Sequence, residues 1–135
     1  MTAGGYSGRP VTAKLGIRAG TRLLLLNAPE VPALDLLLIG VTVHRRAGTG
    51  SYDVVMLFCP DLSTLHRRFS PVPRLLTVAG ALWVCWPKKA SGISTDIGEA
   101  AVRSHGLANG LVDVKVVAID STWSGLKFVR RLADR

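Results

Sequence analysis

The chain has 135 residues, of which 48% are apolar and 19% are charged. This length suits one domain, and the composition excludes long disordered stretches. With 17 Lys and Arg against nine Asp and Glu, the formal net charge is +8, which brings nucleic acids and anionic membranes into consideration as partners. The bases are divided evenly between the two halves of the chain, and no apolar run reaches transmembrane length. We therefore expect no membrane partner and keep nucleic acid only as a minority alternative.

Residues 1–13 are rich in Gly, Ser, Thr and Pro and predict an extended lead-in. They contain no apolar segment of the kind that forms the centre of a signal peptide. Cys59 and Cys85 both lie in apolar, strand-like runs without metal-ligating neighbours in the sequence. Two buried thiols fit a reducing compartment. We therefore expect a cytoplasmic protein with neither a disulfide nor a metal site.

Short apolar runs alternate with Gly, Pro and polar breaks along the rest of the chain, which is typical of alternating strands and helices. The predicted strands cover residues 21–26, 41–44, 52–58, 81–86, 111–119 and 126–132. The predicted helices cover residues 32–38, a stretch ending at Phe69, 74–79 and 96–105. Repeated strand–helix units predict a mostly parallel sheet with helices on both faces, and the last two strands add an antiparallel hairpin. The whole chain, 1–135, is thus predicted to be a single three-layer α/β domain.

The stretch 81–97 organises this prediction. Residues 81–86 (ALWVCW) are apolar without alternation, as in a central strand that is buried on both faces. Pro87 cannot donate to a sheet ladder, so pairing should end there. Asp96 is followed three residues later by Glu99, which predicts an acidic capping box at the start of a helix. The stretch therefore predicts a strand, a basic loop and a helix start.

Ligands of open parallel sheets bind beyond the carboxyl ends of the strands, and several polar residues are predicted to lie there. The candidates are Lys88, Lys89, Ser91, Gly92, Thr95, Asp96, Asp120, Thr122 and Trp123. The lysines supply charge, Gly92 lets backbone amides approach, and a helix start adds partial positive charge, so this loop suits an anion. In the alternative, the lysines only end a strand in water, and Asp120 only shapes a turn. No catalytic residue is identified.

Several motifs resemble those of a family of small bacterial domains of unknown function, common in actinobacteria. The resemblance covers most of the chain, and its most specific parts are residues 86–92 (WPKKASG) and 122–126 (TWSGL). Residues 75–84 (LLTVAGALWV) also look like the later strands of Rossmann-type S-adenosylmethionine methyltransferases. The resemblance implies a Rossmann-like, methyltransferase-like fold, but it implies no particular activity.

Those methyltransferases carry a glycine-rich loop after their first strand and an acid after their second, which holds the cofactor ribose. Here the first predicted strand is followed by residues 27–30 (NAPE), and the second ends in residues 44–46 (HRR). We therefore expect no cofactor and predict a binding module for an anionic small molecule or a protein partner. The alternatives are a divergent S-adenosylmethionine-dependent methyltransferase and a nucleic-acid-binding protein. A homo-oligomer is further expected to pair through an exposed C-terminal strand, residues 126–132.

Overall fold

The computed structural model describes residues 10–31 and 38–135. The predicted helix at 32–38, apart from its last residue, and positions 1–9 of the predicted lead-in lie outside the described residues. The strands are β1 Arg22–Leu26, β2 Thr42–His44, β3 Tyr52–Phe58, β4 Leu76–Pro87, β5 Leu111–Ala118 and β6 Trp123–Arg130. The α-helices are α1 Val11–Lys14, α2 Leu62–Arg68 and α3 Glu99–Ala108, and 3-10 turns occupy Pro73–Leu75, Lys89–Ser91 and Leu132–Asp134. No helix of the described residues is long and apolar enough to cross a membrane.

The six strands form one sheet in the order β2-β1-β3-β4-β6-β5. The first four pair in parallel, and β6 is antiparallel to both β4 and β5. Since β5 therefore runs in the same direction as β4, the carboxyl ends of β1, β3, β4 and β5 meet at one edge. We call this the carboxyl edge and the opposite one the amino edge. The predicted α/β fold with a mostly parallel, six-stranded sheet and a terminal hairpin is confirmed.

Alternate residues of the buried strands supply two apolar cores, one on each face of the sheet. On one face, Leu24 and its neighbours pack with Leu65 and Phe69 from the α2 region and with Val102 of α3. On the other face, the segment after α1 covers the sheet, and the Trp83 indole Nε1–H donates to the Leu15 carbonyl at 3.0 Å. The strands are apolar on consecutive residues because both faces are covered.

The loop before α3 differs from the prediction. The capping box at Asp96 and Glu99 is wrong, because α3 begins at Glu99 and its N-cap is Gly98, which has no side chain to cap with. The Asp96 carboxylate instead accepts a hydrogen bond of 2.9 Å from the Leu62 amide, in the first turn of α2. Asp61 is the N-cap of α2 and accepts from the Thr64 amide at 2.8 Å.

The predicted helix at 74–79 is also wrong. Only Pro73–Leu75 form a 3-10 turn, and β4 begins already at Leu76, which is buried and pairs with Tyr52. The register then jumps, so residues 77–80 bulge from the ladder. Gly80 allows the chain to rejoin the ladder at Ala81, because a Cβ at position 80 would lie only 3.0 Å from the Tyr52 carbonyl oxygen. Long-range pairing thus overrides the local helical pattern.

The C-terminal strand is not an exposed edge. β6 begins at Trp123, earlier than predicted, and lies between β4 and β5 with both sides paired. The expected pairing of two copies through residues 126–132 is therefore wrong as a route to a homo-oligomer. β5 forms the edge instead, and the charged residues Asp113 and Lys115 alternate with valines along it, as is common in edge strands.

Candidate functional site

The strand order of the sheet reverses its direction at β1. The chain passes from β1 to β2 on one side and then returns to β3 on the other side of β1. In open α/β sheets, a crevice opens at such a switch in strand order, and ligands bind there beyond the strand ends. The gap between the carboxyl ends of β1 and β3 is therefore the position at which the fold itself favours a site.

A crevice of about 570 Å³ lies at this position, and we call it the switch-point crevice. Its walls come from the loop after β1, the end of β2, the end of β3 and the start of β6. The lining residues are Leu25, Asn27, Ala28, Pro29, Arg45, Pro60 and Trp123. The lining is mainly apolar and includes two polar or charged residues, Asn27 and Arg45, as in many small-molecule sites.

Asn27 gives the loop after β1 a sharp turn. Its φ is 56°, in the left-handed region that glycine usually occupies, and asparagine tolerates that region better than most residues. The side-chain Nδ2 donates to the Phe58 carbonyl at 2.9 Å, which ties the loop to the end of β3. The loop therefore turns as tightly as one with glycine there, although it contains none.

Arg45 supplies the charge of the crevice. It follows β2 directly and is exposed, and no acid is among the described residues that line the same crevice. No hydrogen bond or ion pair of its side chain is recorded within residues 10–31 and 38–135. A guanidinium in this position favours an anionic group beside it.

Trp123 forms the wall contributed by the hairpin. Its ring packs edge-to-face on Phe58, with centroids 5.1 Å apart and an interplanar angle of 87°. The backbone before it is fixed by Asp120, whose Oδ1 accepts from the amides of Thr122 at 2.8 Å and Trp123 at 2.7 Å. Asp120 thus shapes the turn, as the alternative interpretation of the sequence held, and through it positions the Trp123 wall.

The two predicted lysines lie at a second crevice, on the other face of the sheet. This lysine groove has a volume of about 590 Å³, and its lining includes Lys88, Lys89, Glu99 and Ser124. Glu99 is paired with Arg103 at 2.8 Å, but Arg103 also pairs with Asp113 at 2.8 Å, so one cation is shared between two carboxylates. The Lys88 amide donates to the Thr122 carbonyl at 2.8 Å, which fixes the loop against the hairpin.

The other predicted loop residues have structural partners. Ser91 Oγ donates to the Lys88 carbonyl at 2.7 Å and accepts from the Ile93 amide at 3.1 Å, and Gly92 follows with φ 77°. Thr95 Oγ1 donates to the Pro60 carbonyl. Together with the bond from Leu62 to Asp96, this joins the loop to the start of α2. The nine predicted residues therefore do not converge on one crevice: Lys88 and Lys89 line one, and Trp123 lines the other.

Asn27 and Arg45 were not among the candidates chosen from the sequence. A signal was present, because both directly follow predicted neighbouring strands, β1 and β2. The prediction favoured the loop after β4 because that loop contains two lysines. The switch point can be located only when the strand order is known, and the strand order depends on which strands pair. This order is a tertiary property.

The buried thiols are not suited to nucleophilic chemistry. Burial raises the pKa of Cys59 to about 12, and burial likewise raises the pKa of Cys85 well above its ordinary value. Neither carries thiolate at neutral pH. Within residues 10–31 and 38–135, no three His, Cys, Asp or Glu side chains lie close enough together to hold a metal ion.

Comparison with known proteins finds no matching family model and no matching curated sequence. Solved structures do match. NodS, an N-methyltransferase of Bradyrhizobium japonicum in complex with S-adenosyl-L-homocysteine, is 12% identical with a TM-score of 0.58, over 87% of this chain and 82% of that one. A SAM-dependent methyltransferase of Aquifex aeolicus is 13% identical with a TM-score of 0.58, over 87% and 86%. Magnesium protoporphyrin IX methyltransferase of Synechocystis with bound SAM is 14% identical with a TM-score of 0.57, over 90% and 76%. At these identities the likeness concerns the fold alone: the chain has a methyltransferase-like Rossmann fold.

Proposed function

We propose that this protein binds a small anionic ligand in the switch-point crevice. The observation that carries the proposal is Arg45, the only charged residue among the described residues that line the crevice. The guanidinium binds a phosphate or carboxylate of the ligand through paired hydrogen bonds. The rest of the ligand lies against the apolar walls formed by Pro29, Pro60 and Trp123.

The place of Arg45 at the end of β2 supports a phosphorylated ligand in particular. In nucleotide-binding sheets of this architecture, an acid near the end of the second strand bonds the ribose hydroxyls, whereas an arginine there accommodates a phosphate. Rossmann-type methyltransferases resemble the first case. This chain has arginine and no acid after His44, so nucleoside phosphates are the first ligands to test.

The lysine groove is the competing location for an anion at the same edge. Lys88 and Lys89 supply two positive charges there, but the groove contains Glu99 and lies on the other face of the sheet. The loop at residues 88–92, which we call the lysine loop, and Trp123 therefore line separate crevices. Substitutions in each crevice can show which of the two binds the anion. A protein partner at the lysine loop stays a prediction, as does membership of the small bacterial family.

A divergent methyltransferase is the second candidate. The likeness in fold favours it, and so does Asn27, because its left-handed backbone supplies the tight turn that a glycine would otherwise provide. Arg45 opposes it, since the ribose-binding acid is replaced by a cation and S-adenosylmethionine itself carries a sulfonium charge.

Thermal shift and calorimetry separate these possibilities. The wild type is screened against ATP, NADPH, inorganic phosphate, S-adenosylmethionine and S-adenosylhomocysteine, and any binder is measured again with variants. Loss of a charged hydrogen-bond partner costs about 1.5–3 kcal/mol, so Arg45→Ala should weaken binding of a phosphorylated compound roughly 10- to 100-fold. Arg46→Ala is the matched control, because Arg46 is also exposed but does not line the crevice.

Each outcome has a distinct meaning. Binding that is lost in Arg45→Ala and kept in Arg46→Ala supports the proposal. Binding that is lost only in Lys88→Ala with Lys89→Ala moves the site to the lysine groove. Tight binding of S-adenosylmethionine that survives Arg45→Ala favours the methyltransferase. The absence of any thermal shift rejects the proposal for these ligand classes.

A further inference from the structure

Positive charge is concentrated at the amino edge, on the side of the sheet opposite to the proposed ligand site. The bases at or just before the starts of β1 and β4, and at or after the end of β6, are Arg18, Arg22, Arg74, Arg130, Arg131 and Arg135. The acids of these segments and of the start of β3 are Asp53 and Asp134. The carboxyl edge, in contrast, carries nearly balanced charge, since Glu30, Asp61, Asp96, Glu99 and Asp120 lie there with four bases. Much of the net charge of +8 is thus displayed on one side.

Two arginines of the amino edge are bonded to backbone carbonyls and not to carboxylates. Arg130 Nη2 donates to the carbonyls of Pro73 and Leu76, and Arg131 Nη2 donates to the carbonyl of Leu107. These partners are neutral backbone groups. The ion pairs recorded among the described residues both belong to Arg103, in α3. Asp53, which accepts from the Arg22 amide at 2.8 Å, and Asp134 offset part of this charge, but six arginines against two acids leave the edge positive.

The same edge carries the three most exposed large aliphatic side chains of the described residues. They are Ile39, 88% exposed, Leu132, 80% exposed, and Val78, 59% exposed. Ile39 lies in the turn before β2, Val78 in the bulge of β4, and Leu132 just beyond β6. Single exposed apolar residues need no explanation, but three at one edge among arginines do.

Hydrogen bonds connect neighbouring segments of the amino edge. The Gly20 amide donates to the Gly40 carbonyl at 2.9 Å, which places Ile39 beside the Arg18 turn. A depression of about 460 Å³ separates Arg18 from the β4 bulge, and Lys127 lines it. The bonds from Arg130 to the segment before β4 bring the end of β6 against the Arg74 turn.

We propose that the amino edge docks on the surface of an anionic lipid bilayer. Aliphatic side chains that protrude between cations are suited to the headgroup boundary, where the tips enter the apolar region and the guanidinium groups meet lipid phosphates. A nucleic acid matches the charge but not the aliphatic tips, and the aromatic ring of Tyr52 at this edge is fully buried and offers no stacking surface. The sequence alone predicts no membrane partner, because these residues are far apart along the chain.

Vesicle sedimentation of the full-length protein tests the proposal. The wild type should sediment with vesicles of phosphatidylcholine and phosphatidylglycerol, and not with phosphatidylcholine alone. Ile39→Ser with Leu132→Ser, and separately Arg18→Glu with Arg74→Glu, should each weaken binding on the order of tenfold or more. The matched control is Ile93→Ser with Lys89→Glu, an exposed aliphatic and a base at the carboxyl edge, and it should bind as the wild type does.

Three results would overturn the proposal. One is failure of the wild type to sediment with anionic vesicles at low salt. The second is equal binding by the amino-edge variants and the wild type. The third is retention on mixed nucleic acids that is lost with the arginine substitutions but unchanged by Ile39→Ser with Leu132→Ser, which would identify a nucleic-acid surface. All substituted residues are exposed, and circular dichroism verifies that each variant is folded.

Discussion

Substitution of Gly106 tests how α3 is seated on the sheet. Gly106 is buried in α3 and faces the ring of Phe128 in β6. A methyl group at this position would lie 2.0 Å from Phe128 Cε1 and 2.3 Å from Cζ, far inside any permitted contact. The ring has no free space, because it is fully buried and packs edge-to-face with Phe69 at 6.3 Å. Gly106→Ala must therefore displace either the helix or the ring.

The sign of the effect depends on two opposing free energies. Alanine is better than glycine in a helix interior by about 1 kcal/mol, which favours the variant. Overpacking of a core typically costs about 1–3 kcal/mol, and a contact this short places the cost at the upper end. The net destabilisation is then about 2 kcal/mol. For a chain of 135 residues, this lowers the thermal midpoint by about 7 °C.

Urea and thermal unfolding followed by circular dichroism measure this change. Gly98→Ala is the matched control, since no atom lies within 4 Å of a Cβ at that position and its φ of −154° is open to any residue. As an N-cap change it should cost at most about 1 kcal/mol. A Gly106→Ala variant at least as stable as the wild type would show that α3 does not rest against Phe128 as described.

Three further predictions concern titration and reactivity. Burial, with the neighbouring His66, lowers the pKa of His105 below 6.5, so the unfolded chain takes up the proton first and stability falls as the pH drops below about 6.5. In His105→Gln the thermal midpoint should therefore depend less on pH between pH 8 and pH 5 than it does in the wild type. An unchanged pH dependence would contradict this prediction. Hydrogen bonds from Thr64 lower the pKa of Asp61, so its contribution is present above the unfolded pKa and is lost as the pH falls through the folded value. Asp61→Asn should remove this part of the acid unfolding curve. Cys59, buried with a pKa of about 12, should react with iodoacetamide only after unfolding, and rapid native alkylation seen by peptide mapping would exclude the described burial.

The sheet could be predicted where burial on both faces makes the sequence unambiguous. The strand at Tyr52–Phe58 was predicted with both ends correct, because its apolar run is bounded by a glycine-rich loop and by Cys59-Pro60. The start of β4 could not be predicted in the same way. Leu75, Leu76 and the residues after them follow a helical pattern locally, and only pairing with Tyr52 makes Leu76 a strand residue.

The sequence could predict which residues lie at the carboxyl edge, but not which of them share a crevice. Trp123 was expected there and lines the switch-point crevice, whereas Asp96 was expected to cap α3 and instead accepts from the Leu62 amide in the first turn of α2. Arg45 and Asn27 gain their significance from the strand order, which brings the ends of β1 and β2 together. The concentration of positive charge at the amino edge could not be predicted either, because Arg18, Arg74 and Arg131 are widely separated in sequence and come together only in the fold.

The most direct test of the proposed ligand site is a ¹H–¹⁵N NMR titration with the phosphorylated compound that gives the largest thermal shift. The resonances of the Trp123 indole N–H and of the Asn27 side-chain amide should shift in proportion to the bound fraction of the protein. The indole N–H of Trp83, buried and bonded to Leu15, should stay in place as an internal reference. Shifts centred on the lysine loop at residues 88–92, with the Trp123 indole unchanged, would contradict an anion site in the switch-point crevice.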